Sequence, residues 1–561
     1  MNLWKRLGAA ALSAALCMAV LAGCAGEAAD GVALSVCVGD TPVTLDPIYA
    51  EETGDQTILA HLYENLMRVT VDVTGKTTVT GGMAKDVTRD ANYDGTVTYT
   101  FRLRSAKWSD GRPVRASDFV YAWQRLADPA SQSPYAELLS VVDGYAAARS
   151  SGDMTQLQVT AKNDSTLIVV LDGNYDWFLT EVCTSPATMP LRKDVLQKLK
   201  EAAEEKNLQA EEAGRTGDAR WWSDPTALVT NGPYQAASYE AGGPLGLVKS
   251  ERYYGTQAGP KALDFHFAAT AAEAWRLYEE KTVDGVSPLT EEQLAQRSAG
   301  EEWAGVPELS TYAVLFNCNT FQDGPVRQAL AMAVDRNALV AAAGVTALPA
   351  EGLVPPGVPE DEASDFRGAD APLLDNDPAL YQERCAQALE LLQQAGYDGG
   401  RALGELEYLY VESDRNAAVA LALCQMWQDV LQVRVTPRGV TEQELWAALR
   451  TGAYSIAGAD LGAVGNDAEC FLMQWTSTSP DNVTGYSNSA YDTLMEIIAS
   501  AADGTARMGC LHDAEELLLT DYPLVPLYTR ETDWELRETL TGACRDARGW
   551  FVFSGVVSRN G

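Results

Sequence analysis

The stretch that decides the fold runs from Tyr99 to Trp123 and reads YTFRLRSAKWSDGRPVRASDFVYAW. In the opening YTFRL, large apolar residues alternate with polar ones, which predicts a strand with one apolar face. The segment Ser109–Gly111 has the composition of a turn. Beyond it, Ser117 or Asp118 can cap a helix whose apolar side is supplied by FVYAW. The stretch therefore predicts a strand, a turn and a helix in that order.

Further short segments follow in a fixed order on both sides of this stretch. They are TLDP at 44–47, LYENLM at 62–67, TNGPY at 230–234, VRQALAMAVDR at 326–336, GLVPPG at 352–357 and LVPLY at 524–528. Taken together, they resemble the extracellular solute-binding proteins of family 5, the oligopeptide- and dipeptide-binding proteins of ABC transporters. The resemblance implies an α/β fold, the two-lobed periplasmic-binding-protein fold (type II, cluster C-like). An extra inserted domain and a ligand cleft between the lobes are implied with it.

The resemblance also implies a division of the chain in which one lobe is assembled from separate segments. We expect a signal peptide at 1–23, a flexible tether at 24–31, lobe I at 32–75, 188–308 and 529–561, an inserted domain II at 76–187, and lobe III at 309–528. Ligand is expected to bind between the lobes and to close them by a hinge motion.

The N-terminus has the pattern of an export signal. Lys5 and Arg6 precede an apolar run from Leu7 to Leu21, which is too short to cross a hydrocarbon core of about 30 Å. The run leads into LAGC, which looks like a bacterial lipobox ending at Cys24. An ordinary cleavage site followed by a chance cysteine is the alternative. Lipidation at Cys24 predicts a soluble body held at the outer face of the bacterial cytoplasmic membrane, on the cell surface or in the periplasm.

Composition and charge exclude some classes of function. The chain has 561 residues and a formal net charge of −36, which repels nucleic-acid phosphates. Its three histidines are far apart in sequence and belong to no metal-binding motif, and no nucleophile elbow is present. We therefore expect neither an enzyme nor a bound metal or cofactor.

The cysteines outside the signal region leave two interpretations open. None of the eight is paired in a CxxC motif, so neither a zinc ribbon nor a redox site is indicated. An exported protein can form disulfides, whereas the apolar surroundings of several cysteines favour small buried thiols.

The resemblance implies ligand contacts at particular residues of this chain. Glu64, Asn65 and Tyr135 are expected near a peptide backbone, and Asn231 and Tyr234 on the opposing wall. A strand-like run is expected to cross between the lobes and carries Tyr312 and Asn317. For each of these residues, a role in the core or hinge is the alternative.

One segment departs from the family pattern. Family members carry a tryptophan and then an aspartate that binds the amine of a peptide, ahead of the pair that is Phe471-Leu472 in this chain. The alignment without gaps puts Leu461 at the tryptophan and Val464 at the aspartate, and an alternative register retains Asp460. A buried ammonium without a counter-charge is costly. Either Asp460 or Asp467 therefore replaces the anchor, or the ligand is not a peptide with a free amine.

The predicted function is that of a substrate-binding lipoprotein that captures oligopeptides or dipeptides for an ABC importer. Alternatives are a receptor with the same fold for a non-peptide solute, a peptide or pheromone sensor, and, least favoured, a secreted hydrolase. The expected partners are the peptide, the permease subunits and the membrane through Cys24. The protein is expected to be a monomer that binds no nucleic acid.

Overall fold

The computed structural model describes residues 32–71, 77–240, 242–255, 259–290, 292–293, 306–343, 347–360, 364–368, 372–397, 399–463, 465–500, 504–532 and 534–559. The predicted signal peptide and tether, Cys24 and Val464 lie outside these ranges. No helix within them is both long and apolar enough to cross a membrane.

The strands and helices are numbered in chain order. The strands are β1 (Ala33–Cys37), β2 (Met67–Val71), β3 (Thr77–Gly81), β4 (Ala84–Ala91), β5 (Val97–Leu103), β6 (Val159–Asn163), β7 (Thr166–Leu171), β8 (Tyr234–Tyr239), β9 (Leu245–Lys249), β10 (Ala262–His266), β11 (Gly285–Val286), β12 (Val306–Pro307), β13 (Ser310–Phe316), β14 (Ala347–Pro349), β15 (Glu405–Val411), β16 (Arg434–Val440), β17 (Ile456–Gly462), β18 (Leu524–Thr532), β19 (Glu535–Leu536), β20 (Leu540–Thr541), β21 (Cys544–Arg545), β22 (Phe551–Val552) and β23 (Val557–Ser558). The helices are α1 (Thr53–Leu62), α2 (Ala116–Ala127), α3 (Tyr145–Ser151), α4 (Lys193–Glu212), α5 (Ala271–Glu279), α6 (Gly324–Met332), α7 (Arg336–Ala343), α8 (Tyr381–Gln394), α9 (Asp414–Leu431), α10 (Glu442–Thr451), α11 (Ala468–Leu472), α12 (Ser489–Ser500) and α13 (Gly504–Asp521).

Three larger sheets organise the chain. A six-stranded sheet has the order β19-β11-β1-β10-β9-β8, and an antiparallel four-stranded sheet has the order β4-β5-β7-β6. A seven-stranded sheet has the order β12-β18-β13-β17-β15-β16, with β14 added beside β18. In this third sheet β15 is parallel to β16 and β17, so the carboxyl ends of all three strands lie at one edge.

The stretch Tyr99–Trp123 forms the predicted strand, turn and helix. Tyr99 and its apolar neighbours in β5 face the core, and Gly111 takes the positive φ of +91° that the turn requires. Helix α2 begins at Ala116, just before the two predicted cap residues. Asp118 nevertheless caps the helix from within its first turn, because its Oδ2 accepts a hydrogen bond of 2.9 Å from the main-chain N–H of Arg115.

The Leu-Asp-Pro segment, which follows β1 of the six-stranded sheet, is bound to helix α2. Asp46 is buried and accepts a bidentate pair of hydrogen bonds from the Arg125 guanidinium of α2, at 2.7 Å to Oδ1 and 2.5 Å to Oδ2. The indole N–H of Trp221 donates to the same carboxylate at 3.0 Å. The motif therefore has a structural role, because the Asp46 carboxylate binds Arg125 and Trp221, which are distant from it and from each other in sequence.

The buried residues divide the molecule into two lobes. One continuous hydrophobic core joins the six-stranded and the four-stranded sheets, and we call this body the first lobe. The seven-stranded sheet has a separate core on each face, because alternate residues of β13 point to opposite sides, and we call this body the second lobe. The chain passes between the lobes twice, between β11 and β12 and between β18 and β19. The predicted two-lobed α/β fold is confirmed.

The predicted domain boundaries stay a prediction. In the second lobe, β12 and the last residues of β18 pair with each other, at Val306 with Thr532 and Pro307 with Glu531. The seven-stranded sheet thus extends a few residues beyond 309–528 at both ends.

Candidate functional site

A large cavity lies where the two lobes face each other. Its volume is about 830 Å³, within the range of roughly 300–1,000 Å³ that is common for ligand pockets. The first lobe contributes residues near 50–56, 134–140, 175–187 and 548–550. The second lobe contributes Gly462 and Ala463, at the end of β17, and a run from Cys470 to Asp481. This position, at the carboxyl ends of parallel strands, is a usual place for a ligand in α/β proteins.

Tyr135 is the predicted site residue that lines this cavity. Its hydroxyl donates to the main-chain oxygen of Ala50 at 2.9 Å and accepts from the Gln56 side chain at 2.8 Å. Gln56 in turn donates to the same Ala50 oxygen at 2.9 Å. Burial raises the pKa of Tyr135, so it remains a neutral phenol at physiological pH. The ring is therefore held in a fixed orientation at the cavity wall.

The charged groups on the cavity wall are mostly acidic. Glu51 and Asp481 are exposed, and burial of part of each side chain raises the pKa of both carboxyls. Glu137 accepts a hydrogen bond of 2.9 Å from the hydroxyl of Tyr145. Among the described residues, the wall also includes Arg548, which is engaged inside the first lobe.

Arg548 lies on the cavity wall but is held by its own lobe. Its Nε contacts Asp546 at 2.9 Å, its Nη1 contacts the Glu181 carboxylate at 3.1 Å, and its Nη2 donates to Thr184 at 2.7 Å. Burial alone would lower the pKa of Arg548, but the carboxylates of Asp546 and Glu181 raise it. The guanidinium therefore stays charged, and all three of its nitrogens contact groups of the first lobe.

A smaller cavity of about 120 Å³ adjoins the large one and shares Trp550 with it. Glu64, Asn65 and Tyr234 lie on its wall. The Glu64 carboxylate forms an ion pair with Arg68 at 3.3 Å and accepts a hydrogen bond from the Tyr253 hydroxyl. Burial raises the pKa of Glu64, and Arg68 partly opposes this shift.

The polar groups of this smaller region are satisfied within the protein. Asn231 and Glu64 exchange two hydrogen bonds, with the Glu64 N–H donating to Asn231 at 3.0 Å and Asn231 donating to the Glu64 oxygen at 2.9 Å. Asn65 donates to the Ser185 oxygen at 2.7 Å, and Tyr234 donates to the Pro260 oxygen at 2.7 Å. Direct ligand contact by these residues stays a prediction; in the structure, the side chains of Asn65, Asn231 and Tyr234 hold main chain, and that of Glu64 holds Arg68 and Tyr253.

Tyr312 and Asn317 are buried in the second lobe and do not line the large cavity. Tyr312 stacks on Tyr528 with 5.2 Å between ring centroids. Asn317 donates to the main-chain oxygens of Gly452 and Tyr454 at 2.9 and 3.0 Å. Strand β13, which carries Tyr312, is a central strand of the seven-stranded sheet and does not cross between the lobes as expected.

Both candidate amine anchors are engaged with arginines. Asp460 of β17 forms an ion pair of 2.9 Å with Arg530. Asp467 forms a buried ion pair of 2.8 Å with Arg507 and accepts from the main-chain N–H of Glu469 at 2.8 Å. Leu461 faces the core of the second lobe. Val464, the residue at the aspartate position in the alignment without gaps, lies outside the described residues, so its role stays a prediction.

Within the described ranges, strand β17 lacks a strand partner along part of one side and ends at the cavity. All seven of its residues pair with β13 on one side, whereas β15 pairs only with Ile456 and Ala457 on the other. Gly458–Gly462 therefore have no strand partner on the second side among the described residues, and Gly462 lies on the cavity wall. An unpaired strand edge of this kind can accept another extended chain by main-chain hydrogen bonds.

Two of the three histidines have partners within the protein: His512 Nε2 lies 3.0 Å from the Glu360 carboxylate and its ring stacks on Phe366. His61 is a buried core residue: its Nδ1 donates to the Thr57 oxygen at 2.7 Å and its Nε2 accepts from the Phe553 N–H at 2.9 Å. Burial lowers the pKa of His61 to about 4. In the described part of the chain, no group of three His, Cys, Asp or Glu side chains is arranged to hold a metal ion.

Several residues that line the cavity were not predicted from the sequence. Trp550, Gln56 and the run Met473–Asp481 carry no motif that marks them as ligand contacts. Nothing in the sequence around Tyr175 distinguishes a cavity residue from a core residue. These residues meet only because both lobes fold around the same space.

Comparisons with known proteins agree with this architecture. The family model for bacterial extracellular solute-binding proteins, family 5, matches residues 78–483. The probable deoxycholate-binding periplasmic protein YgiS of Escherichia coli (strain K12) is 30% identical over 495 residues, which cover 87% of this chain and 86% of that protein. The periplasmic oligopeptide-binding protein OppA of Salmonella typhimurium is 29% identical over 506 residues, covering 87% and 86%. The solved structure of Haemophilus influenzae OppA in complex with RPPGFSPFR has 25% identity and a TM-score of 0.70, covering 94% of this chain and 99% of that one. The chain therefore belongs to the bacterial extracellular solute-binding proteins of family 5.

Proposed function

We propose that this protein is the substrate-binding lipoprotein of an ABC importer and captures oligopeptides or dipeptides outside the cell. The observation that carries the proposal is the unpaired edge at Gly458–Gly462, which ends at an interlobe cavity of about 830 Å³. A peptide added beside this edge would form main-chain hydrogen bonds that do not depend on its sequence. The solved OppA complex with RPPGFSPFR supports the choice of a peptide.

Closure of the two lobes would hold the peptide. The two connections between the lobes, after Val286 and after Thr532, are the proposed hinge, because only these segments join the two bodies. The cavity wall offers Tyr135, Tyr175 and Trp550 as apolar surfaces and several hydroxyl and amide groups as polar ones. Such a wall accepts varied side chains, with water filling the remaining space. A role as a receptor, and not as an enzyme, follows from this mode of action.

A second candidate is a non-peptide amphipathic solute. It is favoured by the 30% identity to a probable deoxycholate-binding protein. Deoxycholate is an anion, however, and the cavity's Arg548 is engaged by groups of the protein while the other charged residues on the wall are acidic. An anionic ligand would therefore lack a counter-charge at the cavity wall, which makes the peptide the better fit.

Native mass spectrometry and calorimetry on the protein lacking residues 1–24 would test the proposal. We expect co-purified mass shifts that match peptides, and micromolar or tighter binding of tri- to pentapeptides. Thr478 is exposed on the cavity wall, so Thr478→Trp should obstruct the cavity and weaken binding at least tenfold. Ser150→Trp, at an exposed position of α3, is the matched control and should bind normally. Binding of deoxycholate but of no peptide would favour the second candidate and contradict the first.

Lipid anchoring at Cys24 is part of the same proposal. The LAGC sequence supports it, because small residues before the cysteine admit the processing peptidase. We expect the full-length protein in the membrane fraction and a Cys24→Ala variant in the soluble extracytoplasmic fraction. Equal membrane association of both proteins would contradict lipid attachment at this residue.

A further inference from the structure

Two buried carboxylates connect the lobes directly beside the cavity. The first is Glu469 of α11, in the second lobe, which is only 2% exposed. Arg507 of the same lobe neutralises it at 2.7 Å. The indole N–H of Trp177, in the first lobe, donates to the same carboxylate at 3.1 Å. Trp177 is 1% exposed, so the contact is excluded from water.

The second carboxylate is Glu181 of the first lobe, which is 5% exposed and neutralised by Arg548 of that lobe. Its contact with the second lobe is to the main chain of Gly465. The stem of Glu181 packs on the main chain of Gly465, where a Cβ atom would lie 2.6 Å from the Glu181 Cγ. Only glycine permits this approach, since a separation under 3 Å would force main chain or side chain to move.

The two contacts are reciprocal. Each lobe supplies one carboxylate that is already neutralised by an arginine of that lobe and that contacts the other lobe. Cys470 lies between them and packs in the core of the first lobe, although α11 belongs to the second. Cys470 and Arg548 also line the large cavity. The contacts thus lie directly behind the cavity wall.

Among the described residues, the other carboxylates offer a poor anchor for a ligand amine at the cavity wall. Asp467 is paired with Arg507, and Asp460 is paired with Arg530 through Oδ2 while its Oδ1 is buried without a hydrogen-bond partner; neither residue lines the cavity. Glu137 is hydrogen-bonded by Tyr145. Glu51 and Asp481 are exposed, and an ion pair with an exposed carboxylate is screened by water and contributes little.

We propose that the contacts of Glu469 with Trp177 and of Glu181 with Gly465 form a latch that closes the cleft without any charge from the ligand, so that peptides with a blocked amine are bound as well as free ones. This inference rests on the proposed function for its ligand class. Closing the latch buries charges that are already paired, and therefore the ligand need not compensate either carboxylate. Ligand recognition then depends on main-chain hydrogen bonds and on shape.

Trp177→Phe removes one donor of the latch and retains an aromatic ring. Loss of a hydrogen bond to a charged group changes an equilibrium constant roughly ten- to hundredfold. The ratio of the closed to the open state should therefore fall by that factor. Trp123→Phe is the matched control, because Trp123 is equally buried but donates its indole N–H within the first lobe, to the Thr188 oxygen at 3.0 Å. Small-angle X-ray scattering of the ligand-free protein should report a larger radius of gyration for Trp177→Phe and no change for Trp123→Phe. An unchanged radius for Trp177→Phe would mean that the contact is a fixed pivot and would overturn the latch.

Calorimetry with one tetrapeptide library in free-amine and N-acetylated form tests the ligand class. We expect dissociation constants within threefold of each other for the wild-type protein, and a similar weakening of both by Trp177→Phe. A loss of tenfold or more on acetylation would identify a bound amine and overturn the proposal. Failure of both libraries to bind would contradict the proposed function, whereas the scattering comparison would still decide whether the latch exists.

Discussion

Replacing Asp467 and Asp460 separately by alanine should distinguish a structural carboxylate from a ligand anchor. Asp467 is 7% exposed and Arg507 is 1% exposed, so their ion pair is withdrawn from water. Asp460 and Arg530 have side chains 35% and 26% exposed, and their pair is partly hydrated. The two substitutions remove the same chemical group from very different surroundings.

The expected cost for Asp467→Ala has two parts. Breaking a buried ion pair costs about 3–5 kcal/mol, and the lower end applies because Glu469 still lies 2.7 Å from Arg507. The carboxylate also caps α11 through the Glu469 N–H, and a lost cap adds about 1 kcal/mol. Asp467→Ala should therefore lower the free energy of unfolding by about 4 kcal/mol. The partly exposed pair predicts a loss of about 1 kcal/mol or less for Asp460→Ala.

Urea unfolding of the ligand-free variants, followed by tryptophan fluorescence, measures both losses. Asp467→Asn serves as the control, since it retains the capping acceptor but not the charge, and its cost should be intermediate. If Asp467→Ala unfolds as easily as Asp460→Ala or the wild type and yet no longer binds peptide, the structural role is refuted and Asp467 is the amine anchor.

Three further predictions concern stability and reactivity. Arg125→Met should destabilise the first lobe by about 3 kcal/mol in urea, because it leaves the buried Asp46 carboxylate without its counter-charge. Adding Asp46→Asn should recover part of the loss. A double variant no more stable than Arg125→Met would contradict this reasoning. Burial lowers the pKa of His61 from 6.5 to about 4. Its contribution to the free energy of unfolding should therefore be complete above pH 6.5 and should fall by about 3 kcal/mol as the pH drops through 4. A His61→Gln variant should have a shallower pH dependence of unfolding. The eight described cysteines are free thiols, and of these only Cys318 and Cys510 are not buried. In the native protein lacking residues 1–24, a thiol reagent should therefore modify at most two cysteines rapidly, and in denaturant it should modify all eight. Fewer than eight modified cysteines in denaturant would indicate disulfides.

The sequence was most informative where local pattern and family motif coincide. The alternation in YTFRL and the cap at Asp118 are properties of adjacent residues, and both are found in the structure. The alternation and the cap are set by neighbours in sequence, which is why they can be read without coordinates. The two-lobed fold was predicted from the resemblance of many such segments to family 5.

The partners of the site residues were not predictable in the same way. Asp467 and Arg507 are 40 residues apart in sequence, and the Arg548 contact with the Glu181 oxygen spans 367. No spacing rule links residues at such distances in a chain that carries 78 acidic residues. The choice between anchor and internal ion pair at Asp467 therefore depended on which arginine the fold brings to it.

The double passage of the chain between the lobes has a consequence for how the protein folds. The second lobe is continuous from β12 to β18 and can collapse on its own, whereas the first lobe needs the last residues of the chain. The N–H groups of Phe551 and Phe553 donate to Thr57 and His61 across separations of 494 and 492 residues. Contacts of such high contact order form slowly, because a very long loop must close before they contribute. We therefore expect the second lobe to fold first, with the C-terminal segment docking as the final and slowest step.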